Sequence, residues 1–274
     1  MSETEDATWI EPYKGLKYQD RAMTVEAAEQ QRLLSVCGLD PSLFGDTMDP
    51  AGFISLAIQE GVRNKVHANA TIDMVQGLVL HRPMILGEPL TVSGEILNME
   101  EVPRGRVATS EVWFSGEDGK RALTARRKSL RPDASKVGLR GAGERPAPVI
   151  ADVAALKKVA SFSLTPECVK GYSGPHNPIH FDPEVAKRNG YRAPIMGGTQ
   201  CVRYLTAEIW RRFTPRTLDL DIYFRRPLFW DDTFAVMVDE QNGEWKAICL
   251  AKDGKVATEA RINSMTTGVR NRGR

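Results

Sequence analysis

The spacing of apolar residues changes from a helical to an extended period along each half of the chain. In the second half, Cys201, Leu205 and Ile209 recur at every fourth position, which predicts a helix with one apolar face. Apolar residues then alternate with other residues through positions 234–238, and positions 90–92 of the first half do the same, which predicts strands. Each half is therefore predicted to contain helices followed by three or four long antiparallel strands, an α+β arrangement.

Pairs of a capping residue and a proline predict where the helices begin. Asp49-Pro50 is predicted to open a helix in the first half, and Thr165-Pro166 and Asp182-Pro183 are predicted to open two short helices in the second. Gly190 is predicted to end the last of these, since glycine readily adopts the left-handed conformation that follows many helices. Helices are thus expected ahead of the long strands in both halves.

Two pairs of segments indicate that the sequence repeats. Residues 80–96 (LHRPMILGEPLTVSGEI) align with residues 224–240 (FRRPLFWDDTFAVMVDE) at a constant offset of 144. Residues 118–126 (DGKRALTAR) align with residues 253–261 (DGKVATEAR) at an offset of 135, and each Asp-Gly predicts a hairpin turn. A changed offset with preserved order is typical of two copies whose loops differ in length.

The repeat predicts two structural units joined by a linker. Residues 133–150 (DASKVGLRGAGERPAPVI) are rich in Gly, Pro and Ala and have no hydrophobic period, as is typical of a linker. We therefore place an N-terminal unit at residues 1–132 and a C-terminal unit at residues 151–274. GLRGAG within the linker does not indicate a phosphate loop, because no clear strand precedes it and no Lys-Ser/Thr follows it.

The composition excludes several classes of protein. Of the 274 residues, 42% are hydrophobic, which is enough to form a sizeable core. The 37 basic and 35 acidic residues nearly balance, which argues against a dedicated nucleic-acid-binding protein. The N-terminal segment MSETEDATWIEPY is too acidic for a signal peptide, and no apolar run approaches the ~20 residues that span a bilayer. These features predict a cytoplasmic protein without a membrane partner.

The four cysteines are interpreted as reduced thiols of the core. Cys37, Cys168, Cys201 and Cys249 are widely spaced, and no two of them form a CxxC pair. Neither a disulfide framework nor a cysteine-based metal site is therefore expected in the cytoplasm.

The stretch YSGPHNPIH, residues 172–180, contains most of the candidate chemistry. It holds two of the four histidines of the chain, His176 and His180, among Gly, Pro and Asn. The two histidines would share a metal ion only at helical spacing, and Pro175 and Pro178 disfavour a helix there. No metal site is therefore predicted, and the stretch is expected to be a functional loop.

Residues 172–198 resemble the signature of the MaoC-like, R-specific enoyl-CoA hydratase (hydratase 2) family. The matching positions are Ser173, Gly174, Asn177, Pro178, Ile179, His180 and Ala186. The chain length and the repeat also resemble the two-copy members of the family, in which the first copy is degenerate. The resemblance implies a double hot-dog α+β fold, in which each of two tandem units is a long helix wrapped by an antiparallel sheet.

The resemblance implies a reaction as well: reversible hydration of an enoyl-CoA, or dehydration of a 3-hydroxyacyl-CoA thioester. His180 would be the principal acid–base residue, and Asn177 would orient the water or the loop. The amide of Gly198, at the start of the following helix, would stabilise negative charge on the thioester oxygen. The residues implied to bind the substrate are Gly197, Tyr172 and Ser173.

The expected partner is a small acyl-CoA thioester, and no cofactor is implied beyond coenzyme A as part of that substrate. The resemblance further implies a homodimer or a hetero-oligomer. Three arginine pairs are candidates to contact the phosphates of coenzyme A, with none preferred: Arg126-Arg127, Arg211-Arg212 and Arg225-Arg226.

One position departs from the family motif. The family has an aspartate where this chain has Pro175, which has neither a titratable group nor a backbone N–H. In one interpretation His176 supplies the second acid–base group, and in another His180 and Asn177 hold the water alone. In a third, the loop is a relic and the protein binds acyl-CoA without turnover.

Two other functions stay open at this point. Hot-dog folds also contain acyl-CoA thioesterases, so hydrolysis of the thioester is an enzymatic alternative that rests on the fold alone. A non-catalytic acyl-CoA-binding subunit of a hetero-oligomer is the alternative from another class. Release of free coenzyme A would identify the thioesterase, and tight binding without turnover would identify the binding subunit.

Overall fold

Ten strands and five α-helices form within the residues that the computed structural model describes, which are 10–66, 71–136, 146–174 and 177–268. The strands are β1 (Arg21–Met23), β2 (Ile72–Leu80), β3 (Leu90–Val102), β4 (Gly105–Ser115), β5 (Arg121–Pro132), β6 (Lys157–Ser163), β7 (Pro215–Phe224), β8 (Thr233–Gln241), β9 (Glu244–Lys252) and β10 (Lys255–Thr267). The helices are α1 (Ala27–Val36), α2 (Gly52–Arg63), α3 (Pro166–Ser173), α4 (Pro183–Arg188) and α5 (Gly198–Arg212).

All ten strands belong to one sheet whose order repeats about its centre. The order is β1-β3-β4-β5-β2-β7-β10-β9-β8-β6, so that the second five strands mirror the first five. Strands β2 and β7 pair antiparallel at the centre, from Val75 opposite Tyr223 to Leu80 opposite Leu218. This order matches the sequence repeat, because β3 corresponds to β8 and the β4–β5 hairpin corresponds to the β9–β10 hairpin. The exact limits of the two units stay a prediction, and residues 137–145 of the linker lie outside the described residues.

Both predicted Asp-Gly hairpin turns are confirmed. Strands β4 and β5 pair as far as Ser115 opposite Arg121, and Gly119 in the turn has φ 72°. Strands β9 and β10 pair as far as Lys252 opposite Lys255, and Asp253 and Gly254 have φ 51° and 69°. The second turn has positive φ at both central residues, the geometry that two-residue Asp-Gly turns favour, whereas in the first turn only the glycine has positive φ.

Helix α5 is the central helix of the second unit and is buried on all sides. Its predicted apolar stripe of Cys201, Leu205 and Ile209 is confirmed, since all three are buried. The opposite face is also buried, and includes the charged Arg203 and Glu208. The reason is that α5 packs against strands β7–β10 and also against α2 of the first unit. A single unit viewed alone would leave that second face in water.

The predicted helix starts at Thr165 and Asp182 are confirmed. The Thr165 hydroxyl accepts a hydrogen bond from Cys168 N at 3.2 Å, and the Asp182 carboxylate accepts one from Glu184 N at 2.8 Å. Helix α4 then ends at Arg188, and Gly190 has φ 82° in the turn that follows.

The predicted start at Asp49-Pro50 is wrong by two residues. Helix α2 begins at Gly52, after a turn in which the Asp49 carboxylate accepts a hydrogen bond from Ala51 N at 3.0 Å. The other carboxylate oxygen of Asp49 lies against Arg203 of α5. A contact with a residue so distant in sequence is not visible in the capping pattern, and it holds Asp49 outside the helix.

Candidate functional site

The loop between α3 and α5 carries the candidate site, and glycine and proline define its local geometry. Helix α3 ends at Ser173, and Gly174 follows with φ 62°, a conformation that costs glycine little. Residues 177–180 then form a short 3₁₀ turn, with Asn177 at its N-cap accepting from Ile179 N at 3.4 Å. Pro178 fits the first position of this turn because no donor is needed there.

The loop fixes which nitrogen of His180 carries a proton. Nδ1 of His180 lies 2.8 Å from the carbonyl oxygen of Ile195. A carbonyl oxygen only accepts hydrogen bonds, so Nδ1 must be the protonated nitrogen. Nε2 of the neutral ring therefore carries the basic lone pair, and the side-chain nitrogen of Asn177 donates to it from 3.3 Å, a contact that a bound water would replace. This tautomer is the one that can accept a proton from water.

The environment of His180 keeps the imidazole neutral. Burial lowers its pKa below the ordinary histidine value of 6.5, and the Ile195 carbonyl and the negative charge of Asp73 oppose that change. At neutral pH the ring is therefore a base with Nε2 available. A half-buried base of this kind is typical of acid–base sites.

Gly197 and Gly198 leave space beside His180 at the start of α5. A methyl group on residue 197 would lie 3.5 Å from Cε1 and 3.7 Å from Nε2 of His180. A methyl group on residue 198 would lie 3.1 Å from the ring of Phe224. Gly197 has an ordinary extended conformation, with φ −68° and ψ 149°, so its backbone does not require glycine, and a methyl group there would fill the space against the His180 ring.

The backbone N–H of Gly198 is a donor at this space. The first hydrogen bond of the helix runs from Cys201 N to Gly197 O at 3.0 Å, so the N–H groups before Cys201 have no partner within the helix. Such N–H groups at a helix start, reinforced by the helix dipole, favour an oxyanion. The site thus combines a base, at His180, with a donor for developing negative charge.

A carboxylate of the first unit, Asp73, also reaches this helix start. Its Oδ2 atom would be 3.7 Å from a methyl group on Gly198. Oδ1 of Asp73 accepts from Arg127, at 2.5 Å from both Nε and Nη2, and Arg127 also donates to Thr71 at 2.9 Å. Sequence reasoning missed Asp73, because only the pairing of β2 with β7 brings it to the second unit.

The other predicted site residues have different positions. The ring of Tyr172 lies against Arg203 in the second turn of α5, with its centroid 5.1 Å from the guanidinium carbon, and burial raises the pKa of Tyr172. Ser173 is the last residue of α3. Pro175 and His176 lie outside the described residues, so the role of His176 as a second acid–base group stays a prediction.

A cavity in the first unit is lined in part by Arg127. It has a volume of about 60 Å³ and lies between α2 and the inner faces of β3, β4 and β5. Ile54, Ala57 and Ile58 of α2 form an apolar wall, and Arg127 and Ser129 of β5 form part of a polar wall. The cavity offers space for several water molecules close to the residue that holds Asp73.

Most of the candidate phosphate-binding arginines are paired with carboxylates. The pairs are Arg126 with Glu111, Arg127 with Asp73, Arg211 with Glu208, and Arg225 with Glu259. These contacts give the arginines a structural role in the sheet and in α5.

Other groups that could indicate function were sought across the described ranges. Within them, no group of three or more His, Cys, Asp and Glu side chains is arranged to hold a metal ion. No helix in the same ranges is both long and apolar enough to cross a membrane. All four cysteines are free, and Cys37, Cys201 and Cys249 are buried.

The fold of the chain is similar to that of several solved structures, although no protein-family model and no curated protein sequence matches it. HtdX from Mycobacterium tuberculosis is 20% identical with a TM-score of 0.72, over 90% of this chain and 98% of HtdX. A MaoC-like dehydratase from Phytophthora capsici is 16% identical with a TM-score of 0.66, over 91% of this chain and 96% of the dehydratase. A further M. tuberculosis protein, described as having a double hotdog fold, is 13% identical with a TM-score of 0.57, over 91% and 95% of the two chains. At these identities the similarity concerns the fold, and the chain is a double hot-dog α+β protein.

Proposed function

We propose that the protein adds water across the double bond of an enoyl thioester, or removes water from a 3-hydroxyacyl thioester. The observation that carries the proposal is that Nε2 is the unprotonated nitrogen of His180 and lies beside the space at Gly197. The resemblance of residues 172–198 to the hydratase 2 signature supports the same chemistry, as does the fold shared with a MaoC-like dehydratase.

The proposed reaction balances with one histidine. Nε2 of His180 accepts a proton from water, and the water oxygen forms a bond to C3 of the enoyl group. The electrons of the double bond move toward the thioester carbonyl, whose oxygen accepts a hydrogen bond from the Gly198 N–H. The imidazolium then gives its proton to C2, and His180 returns to its neutral form.

Asn177 assists in this scheme by holding the ring. Its side-chain nitrogen lies 3.3 Å from Nε2, on the edge where the water must bind. Together with the Ile195 carbonyl at Nδ1, it fixes the orientation of the imidazole from both nitrogens, and the attacking water then replaces the Asn177 nitrogen at Nε2.

The substrate we propose is a coenzyme A thioester, handled by a cytoplasmic homodimer or hetero-oligomer. The fold of acyl-thioester enzymes and the resemblance of the motif support coenzyme A, which would enter only with the substrate.

A panel of short, branched and aromatic enoyl-CoA thioesters tests the proposal. Loss of enoyl absorbance without release of free thiol is the expected result. Release of free thiol would instead identify a thioesterase, in which the water attacks the carbonyl carbon. Binding of acyl-CoA, seen as a rise in thermal stability, with no change in either assay would identify a binding subunit.

His180→Ala identifies the site, and His81→Ala is the matched control. His81 is an exposed histidine directly after β2, with its Nε2 3.0 Å from the Thr124 hydroxyl. We expect His180→Ala to lower kcat by roughly 10²- to 10⁴-fold, and His81→Ala to keep the wild-type rate. Equal rates in the two variants would contradict the assignment of His180.

A further inference from the structure

One charged residue of the first unit, Asp73, reaches the helix start that carries the site of the second. Asp73 precedes the segment of β2 that pairs with β7, and its Oδ2 lies next to Gly198. His180 lies next to Gly197. The imidazole and the carboxylate therefore border two consecutive residues of the same helix start.

The two carboxylate oxygens of Asp73 have different surroundings. Both contacts from Arg127 are to Oδ1, at 2.5 Å from Nε and from Nη2. Oδ2 is the atom that faces Gly198. The pair is largely withdrawn from water, with 16% of the Arg127 side chain and 31% of the Asp73 side chain exposed. Arg127 thus holds the carboxylate through Oδ1, and Oδ2 faces the site.

A site whose acid–base residue is one neutral histidine is favoured by a carboxylate close to the imidazole. When Nε2 of His180 accepts a proton, an imidazolium forms in surroundings that disfavour charge, since burial lowers the pKa of this residue. Among the groups near His180, the negative charge of Asp73 opposes this effect and favours the charged ring. A carboxylate held at a fixed position lowers the free energy of the imidazolium without reorganising during the reaction.

We propose that Asp73, supplied by the N-terminal unit, is the acidic partner of His180, and that its Oδ2 accepts a hydrogen bond from the attacking water. This inference rests on the proposed function for its reaction. The proton taken from water goes to Nε2 and then to C2, and Asp73 stays a carboxylate throughout. The water is held between an acceptor on each unit, so the site requires both units.

Asp73→Asn tests the proposal, and Glu111→Gln is the matched control. Glu111 lies on β4 of the same unit, is buried, and is paired with Arg121 at 2.8 Å and Arg126 at 2.6 Å. Each substitution therefore removes one arginine-paired carboxylate from the same sheet. We expect Asp73→Asn to lower kcat by about tenfold or more, and Glu111→Gln to retain the wild-type kcat.

A change in pH dependence separates a role in acid–base chemistry from a role in folding. Asp73→Asn removes the charge that favours the imidazolium, so the acid limb of kcat/KM is expected to move to lower pH. Asp73→Glu keeps the charge and is expected to restore that limb at least in part. If Asp73→Asn unfolds, Asp73→Asn/Arg127→Gln removes both charges and takes its place in the comparison.

The pKa of His180 provides a measurement that does not depend on turnover. The chain has four histidines, so the NMR signal of His180 can be assigned by its loss in His180→Ala. We expect Asp73→Asn to lower the His180 pKa and Glu111→Gln to leave it unchanged. An active wild type with unchanged rate, acid limb and His180 pKa in Asp73→Asn would overturn this inference and leave the proposed function intact. An inactive wild type would overturn the proposed function, and the His180 titration would still decide whether Asp73 acts on the ring.

Discussion

Arg203 of α5 lies with its Nε atom 2.7 Å from Oδ2 of Asp49, and this buried ion pair joins the two units. Only 2% of the Arg203 side chain and 1% of the Asp49 side chain are exposed. The contact is poorly aligned, since within the described structure these two atoms and Nη1 of Arg203 have no hydrogen-bond partner. Burial raises the pKa of Asp49, although Arg203 acts in the opposite direction.

Arg203→Met is expected to destabilise the protein strongly. The substitution leaves Asp49 buried without its countercharge, and breaking a buried pair in this way typically costs about 3–5 kcal/mol. Equilibrium unfolding in urea measures the change, with Arg188→Met at the surface end of α4 as a control for loss of an arginine.

The double variant Asp49→Leu/Arg203→Met tests whether the ion pair is more stabilising than apolar residues in its place. Because the hydrogen bonds of the pair are incomplete, its replacement by apolar residues is expected to recover much of the free energy lost in Arg203→Met. A double variant as unstable as the sum of the two single variants would show that the two residues act independently.

Local features of the fold were predictable from the sequence because their causes are local. The capping residues Thr165 and Asp182 bond to N–H groups two or three positions away, and the Asp-Gly turns depend on two residues each. The repeat was predictable for a similar reason, since two copies retain the same order of turns and strands.

The contacts between the units were not predictable from the same patterns. The all-round burial of α5 and the displaced start of α2 both depend on how the two units pack. Asp73 reaches Gly198 only because β2 pairs with β7 in one register, with Val75 opposite Tyr223. No spacing of residues in the sequence indicates the register of β2 on β7. The motif therefore predicted His180 and Asn177 as site residues but not Asp73.

Asn177→Asp is expected to reduce activity at neutral pH by changing the protonation of His180. A carboxylate oxygen beside Nε2 cannot donate, and it attracts a proton to that nitrogen, so the pKa of His180 should rise. The acid limb of kcat/KM should then move to higher pH, opposite to the change expected for Asp73→Asn. Asn189→Asp is the matched control, since Asn189 donates to the Val185 carbonyl at 2.8 Å in α4. An unchanged acid limb in Asn177→Asp would contradict the donor role of Asn177.

The proposed activity of the wild-type protein is expected to persist in mildly acidic solution. Nε2 must be unprotonated to act, and burial lowers the His180 pKa below the ordinary value of 6.5, so the acid limb should lie below that pH. A profile of kcat/KM against pH locates this limb. An acid limb above pH 6.5 would contradict this prediction, because it would mean that the pKa of His180 is raised and not lowered.

The same depressed pKa predicts a loss of stability on acidification. Above the unfolded-state pKa, His180 is neutral in both states and contributes nothing to the pH dependence. As the pH falls, the unfolded chain takes up a proton that the folded protein does not, so the free energy of unfolding decreases until the folded-state pKa is passed. His81 acts in the same direction, since burial lowers its pKa too. Urea unfolding at two pH values should therefore show a smaller decrease in His180→Ala than in the wild type, and an equal decrease would contradict this account.

Gly198→Ala is expected to lower kcat through crowding at the helix start. The new methyl group would lie 3.1 Å from two ring carbons of Phe224, so the start of α5 or the ring must move by a few tenths of an ångström. Either movement displaces the N–H that we propose for the thioester oxygen, and loss of one such donor typically costs roughly 10²- to 10³-fold in kcat.

Two further variants show whether crowding is the cause. Gly171→Ala in α3 meets Val36 at 3.3 Å, a similar degree of crowding away from His180, and is expected to keep its activity. Gly198→Ala/Phe224→Leu removes the aromatic ring that the methyl group would meet, so it should recover part of the lost kcat. If the double variant stays as slow as Gly198→Ala while both are as stable as the wild type, displacement by Phe224 is not the cause. The loss would then lie in the methyl group itself, which would be 3.7 Å from Oδ2 of Asp73 and would occupy space that the thioester needs.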